Sequence, residues 1–205
     1  MSKQLTGIPA DLARSYASIE RVATAFREGL GLDSGDRFEA LKFFDEDLAD
    51  ITLEANGSSI AMIEGVEDCP QEGLTRWDPI GERLEVVLAE RTYEMLQEDH
   101  VRARSTVAHE AGHAVLHTEQ IIRLAGMNLK SQVAFHRERN PHKAFRDTEW
   151  QANAFQSSLL MPAAGVQALA EKHKGLSAAD VANAYRVSQE SATYRLLTYR
   201  RSLGI

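Results

Sequence analysis

Three of the chain's seven histidines stand four residues apart, in VAHEAGHAVLH over residues 107–117. This spacing is the strongest constraint on the fold. On a helix, residues i and i+4 share a face, so the imidazoles of His109 and His113 can reach one ion. Glu110 lies about 100° round from His109. That sets it beside the ion rather than on it, where a general base for an attacking water belongs. Ala111 and Gly112 are small and let another element approach closely. Gly112 costs a helix roughly 1 kcal/mol relative to Ala, which points to a packing or functional reason.

The motif alone leaves a second reading open, a helix with a polar histidine face. A third ligand separates the two, because a catalytic zinc takes three protein ligands and leaves one position for water. The favoured third ligand is Glu149 in TEWQANAF, thirty-six residues after His113 on a second helical stretch. Asn153 follows at i+4, placed to hydrogen-bond a ligand ring or Glu149. Glu119 is too close in sequence to fold back on His109 and His113. Glu138 falls in an irregular basic stretch, and Asp147 points elsewhere on the helix of Glu149. His117 has two readings. It is a group near the site, or a polar residue at a helix end, satisfied by a backbone carbonyl and favoured by the helix dipole. The second is preferred. His100, His136, His142 and His173 have no motif around them.

The rest of the chain reads as helices flanking a small sheet. Apolar residues at Leu12, Tyr16, Ile19, Val22, Ala23 and Phe26 give helical spacing over residues 9–30, with a second short helix over 37–48. DITLEA and SSIAMIEG are short strands around an Asn-Gly turn. GLTRWDPIGERLEVVLAE reads as a loop and then a strand over Leu84–Ala89. Within 119–147, which lacks a clear period, SQVAFHRERNPHKAFRD is polar and basic and suits a loop or broken helix, and Pro162 ends the helix of Glu149. This order predicts an α+β fold in three segments: N-terminal helices over 1–50, a core over 51–165, and a helical tail over 166–205.

Composition excludes more than it selects. A net charge of −7 argues against nucleic-acid binding over the whole surface. The single cysteine, Cys69, permits no intramolecular disulfide. The N-terminus has no apolar stretch after its lysine, and no run of 18 apolar residues occurs anywhere. The expectation is a cytoplasmic protein without a membrane span.

RARSTVAHEAGHAVLH followed by EWQANAFQSSLLMP resembles the ImmA/IrrE-like metallopeptidases. The matching residues are Arg102, Arg104, Thr106, the 109–113 motif, His117, Glu149, Ala152, Asn153, Phe155 and Leu159–Pro162. Ser105 and Gln156 depart from the pattern, where an aromatic and a small Ala are common. The resemblance implies a zincin-like core with a small sheet packed on the HExxH helix. It implies zinc held by His109, His113 and Glu149, with Glu110 as catalytic base. It also implies a regulatory zinc endopeptidase acting on a partner protein, a helix-turn-helix transcriptional repressor. The alternative is a regulator that binds and displaces the repressor without cutting it, with zinc structural.

Three finer expectations concern the cleft and the tail. The strand Leu84–Ala89 is expected to offer an edge to extended substrate. His117, Tyr93 and Arg104 are candidates for a second oxyanion donor. The tail ADVANAYRVSQESATYRLL resembles a helix-turn-helix, with Arg186 where Gly is usual at the turn. Arg195, Arg200 and Arg201 make its end basic. Packing on the core is expected ahead of direct DNA binding.

Overall fold

The computed structural model describes residues 7–127, 143–173 and 175–203, with side chains as far as Thr198. Helix α1, Tyr16–Gly29, is capped by the Ser15 side chain, which accepts from the Ser18 amide. It starts later than its apolar spacing predicts. Residues 7–14 are drawn instead into an extended strap along the start of the Glu149 helix. Pro9 pairs with Asp147 there. The Ala10 and Arg14 amides donate to the Arg146 and Phe145 carbonyls at 2.7 and 2.9 Å. Long-range pairing overrides the local helical pattern.

Helix α2, Ala40–Lys42, widens into a π-helical turn over Phe43–Asp47 and tightens into a 3-10 turn over Leu48–Asp50. Then come β1, Thr52–Ala55, and β2, Ser58–Glu67. Asn56 and Gly57 join them, with φ of 52° and 77°, as an Asn-Gly hairpin turn demands. Strand β3, Gly73–Asp78, lies where a loop is expected, and β4, Arg83–Ala89, follows it. The sheet order is β1-β2-β4-β3, with β2 and β4 parallel and both outer pairs antiparallel. Strand β4 is therefore interior. That explains its unbroken apolar run Val86, Val87, Leu88, which is buried on both faces.

Helix α3, Glu90–Gln97, leads into α4, Val101–Gly126, the long helix of the histidines. Ala103, Val107, Ala108, Ala111 and Ala114 are all fully buried, since α4 runs between the sheet and helix α5, Thr148–Leu160. Gly112 marks the closest approach. A Cβ there would stand 3.2 Å from the main chain of Ala152. Helices α6, Ala163–Lys172, α7, Ala178–Tyr185, and α8, Gln189–Leu203, complete the chain. One α+β core results, with apolar residues from Ile19 to Leu196 in a single cluster. No helix among the described residues is long and apolar enough to cross a membrane.

Candidate metal centre

Helices α4 and α5 place three ligating groups together. His109, His113 and Glu149 each direct one donor atom into a cluster within 4.8 Å. The Nε2 atoms of His109 and His113 are 3.0 Å apart. The Glu149 oxygens lie 3.3 and 3.2 Å from them. An ion with bonds of about 2.0–2.1 Å to a tetrahedral ligand set holds its donors about 3.3 Å apart. The three groups therefore fit one small cation with little movement. His113 is 4% exposed, His109 19% and Glu149 14%, so the cluster opens on the His109 side.

The same closeness sets their charges. Burial lowers the His109 pKa, but the Glu149 and Glu110 carboxylates outweigh it and the net shift is upward. Burial would raise the Glu149 pKa. The contacts with the His109 and His113 rings overcome that and hold the carboxyl far below the usual range. Glu149 is thus an anion, which a metal site requires.

Glu149 is fixed by the start of α5. Asp147 caps the helix, accepting from the Trp150 amide at 2.7 Å, and also accepts from the Gly7 amide at 3.0 Å. Asp147 is therefore a cap. Glu119 accepts from the Asn56 amide at the hairpin turn. Glu138, His136 and His142 lie outside the described residues. His100 caps α4, and His173 follows α6.

Glu110 points from α4 to β3. Thr75 Oγ1 lies 2.9 Å from its Oε2 and 3.0 Å from its main-chain carbonyl, and shares one proton between them. A cleft of about 440 Å³ opens beside it, lined by Pro70–Gly73, Arg102, Thr106, His109 and Gln156. Gly73 is required by contact here. A Cβ would fall 2.9 Å from both Glu110 Cγ and Thr106 Cγ2. Gly73→Ala is expected to displace Glu110 and cut kcat/KM about tenfold or more, with metal stoichiometry unchanged. Cleavage assays beside metal analysis check this.

Several expected roles fall differently. Strand β4 offers no edge, because β2 and β3 flank it; the edge beside the cleft belongs to β3. The Tyr93 hydroxyl is 3.3 Å from Asp45, with its ring against Phe44. Arg104 is buried and donates to Asp99 and the Phe38 carbonyl. Both are committed to the fold. The Asn153 amide donates to the Glu149 main-chain carbonyl, and the side chain lines a cavity of about 490 Å³ between α5 and α8.

His117 is not at a helix end, since α4 continues more than two turns to Gly126. Its Nδ1 is 3.3 Å from His113 Nδ1, and its Nε2 is 3.1 Å from Gln151 Oε1. Burial, with His113 adding to it, pushes its pKa down to about 3, so the ring is neutral. Sequence reading missed Gln151, Thr75 and Gly73. A visible signal for Gln151 is an amide among the apolar Ala152, Ala154 and Phe155 of one helix.

The tail forms a helix-turn-helix shape. Arg186 takes the left-handed conformation usual for Gly at the turn, with φ of 52°. Arg195 turns inward and is buried. The side chains of Arg200 and Arg201 lie outside the described residues.

Two imidazoles and a carboxylate on adjacent helices, with a second carboxylate beside them, suit a metal-dependent hydrolase. Residues 97–197 match the Peptidase_M78 family model, the IrrE N-terminal-like domain. That stretch is similar to the ImmA/IrrE-like metallopeptidases, and the α+β core of the chain is consistent with a zincin-like fold. No curated protein matches the chain.

Proposed function

We propose that the protein is a zinc-dependent endopeptidase of the cytoplasm that cuts a partner protein, a helix-turn-helix transcriptional repressor. The observation that carries the chemistry is Glu110, held by Thr75 beside the His109–His113–Glu149 cluster and facing the cleft. Two imidazoles and one carboxylate suit zinc. Zinc held there supplies Lewis acidity, which lowers the pKa of water toward neutrality and polarises a peptide carbonyl. Glu110 takes the proton of the attacking water and delivers it to the departing amide nitrogen. The open edge of β3 suits an extended substrate backbone, which adds main-chain hydrogen bonds to a sheet edge. Support for the repressor comes from the family resemblance and its regulatory members.

Glu149→Ala is expected to lose stoichiometric zinc, because two imidazoles alone leave the site without its anionic ligand. Metal analysis after dialysis reads this directly, and retained zinc contradicts the assignment. The function is tested by incubating the zinc-loaded protein with helix-turn-helix repressors, taken first from any encoded by a gene adjacent to its own. Discrete fragments that vanish with chelator support peptidase action. A stable complex with intact repressor supports displacement without cleavage.

A further inference from the structure

The hydrogen bonds behind His113 have a direction, and it is set outside the metal centre. Gln151 is fully buried. Its Nε2 donates to the Leu12 carbonyl at 2.8 Å and to the Phe145 carbonyl at 2.9 Å. Turning the amide over would aim its oxygen at two carbonyl oxygens, so the orientation is determined. Oε1 therefore faces His117 and can only accept. His117 Nε2, 3.1 Å away, must donate. In a neutral imidazole the other nitrogen then carries a lone pair. That nitrogen, Nδ1, sits 3.3 Å from His113 Nδ1, which must be the donor. A His113 ring with its proton on Nδ1 has its lone pair on Nε2, and Nε2 is the atom turned toward His109 and Glu149.

We infer that Gln151 is a positioning residue of the metal centre: held by two main-chain carbonyls, it fixes the tautomer of His117, and through it the tautomer in which His113 offers Nε2 to a metal. The inference rests on the reading of His109, His113 and Glu149 as ligands. Partners behind metal-bound histidines orient the ring and raise its basicity, and their loss costs about 10–100-fold in metal affinity. The usual partner is a carboxylate, carbonyl or water in direct contact. Here a second imidazole stands between, and the strap carrying Leu12 forms the outer end of the chain of bonds.

The test is long-range proton–nitrogen correlation spectroscopy on full-length, histidine-labelled protein, with zinc affinity by chelator competition. His117 is expected as the Nε2–H tautomer with and without zinc, and His113 as Nδ1–H in the zinc-loaded protein. Gln151→Met is expected to leave His117 divided between tautomers and to weaken zinc binding about 10–100-fold. His117→Phe, which removes the acceptor for His113 Nδ1, is expected to weaken it similarly. A His117 ring protonated on Nδ1 in the wild type overturns the inference. So do folded variants that bind zinc as tightly as wild type. Where Gln151→Met fails to fold, by circular dichroism, the wild-type tautomers and His117→Phe decide. A wild-type protein that takes up no zinc refutes the ligand assignment instead, and the His117 tautomer in metal-free protein still tests the link to Gln151.

Discussion

Glu110→Gln is expected to lower the rate of peptide cleavage by a factor of about 10²–10⁴ while zinc binds as in the wild type. The two readouts separate because Glu110 lies outside the three-atom donor cluster. The substitution keeps the shape of the side chain and an oxygen for Thr75 Oγ1 to donate to, so the contact with β3 survives. What it removes is the lone pair that takes a proton. Single-turnover cleavage, run beside metal analysis of the same preparation, checks both halves. Wild-type cleavage by Glu110→Gln contradicts the assignment of the base. Loss of zinc shows that Glu110 supports the metal, contrary to the geometry.

The second large effect is on stability. Arg195→Ala is expected to destabilise the metal-free protein by about 3 kcal/mol. Arg195 is buried; its Nε donates to the Met161 carbonyl at 2.7 Å and its Nη2 lies 2.8 Å from both oxygens of Glu20. Glu20 also accepts from Ser158 Oγ at 2.7 Å and from the Ala163 amide, at the first turn of α6, at 2.8 Å. One carboxylate thus ties α1, α5, α6 and α8 together. Removing the guanidinium leaves the half-buried Glu20 carboxylate and the buried Met161 carbonyl short of donors, and stranding such groups costs more than the pair contributes. The exposed pair Arg123–Asp11 is worth at most about 1 kcal/mol by comparison. Urea unfolding with a double-variant cycle through Glu20→Ala measures the coupling. Independent, additive losses contradict the network.

The same residue shows why the tail was only half legible. Its two helices and the turn at Arg186 follow from local pattern, and the structure has both. Whether a basic side chain faces out or in depends on a carboxylate 175 positions away in sequence, which no local pattern reports. The histidine helix is the opposite case. Spacing within eleven residues brings His109 and His113 to one face, and a paired motif supplies Glu149. Strand β3 was hidden by its own punctuation, since Gly73 and Asp78-Pro79 bracket six residues that read as a loop. With β3 went Thr75 and Gly73, the residues that aim Glu110. The sequence puts His117 near a helix end, where the dipole suffices to explain it; the helix runs on to Gly126, and the ring faces Gln151.

The strap sets an order of assembly. Gln151 is held by the carbonyl of Leu12, 139 positions earlier, and Gly7 meets Asp147 across 140. Such long-range closures come late in folding, because chain entropy must be lost before the contact forms. During synthesis residues 7–14 have no partner at this joint until α5 has left the ribosome. The HExxH helix can form well before then, but its second histidine is not yet held in register. The donor cluster is therefore assembled only once α5 has emerged, and a nascent chain that stops before residue 149 lacks Glu149 as well as the amide that faces His117.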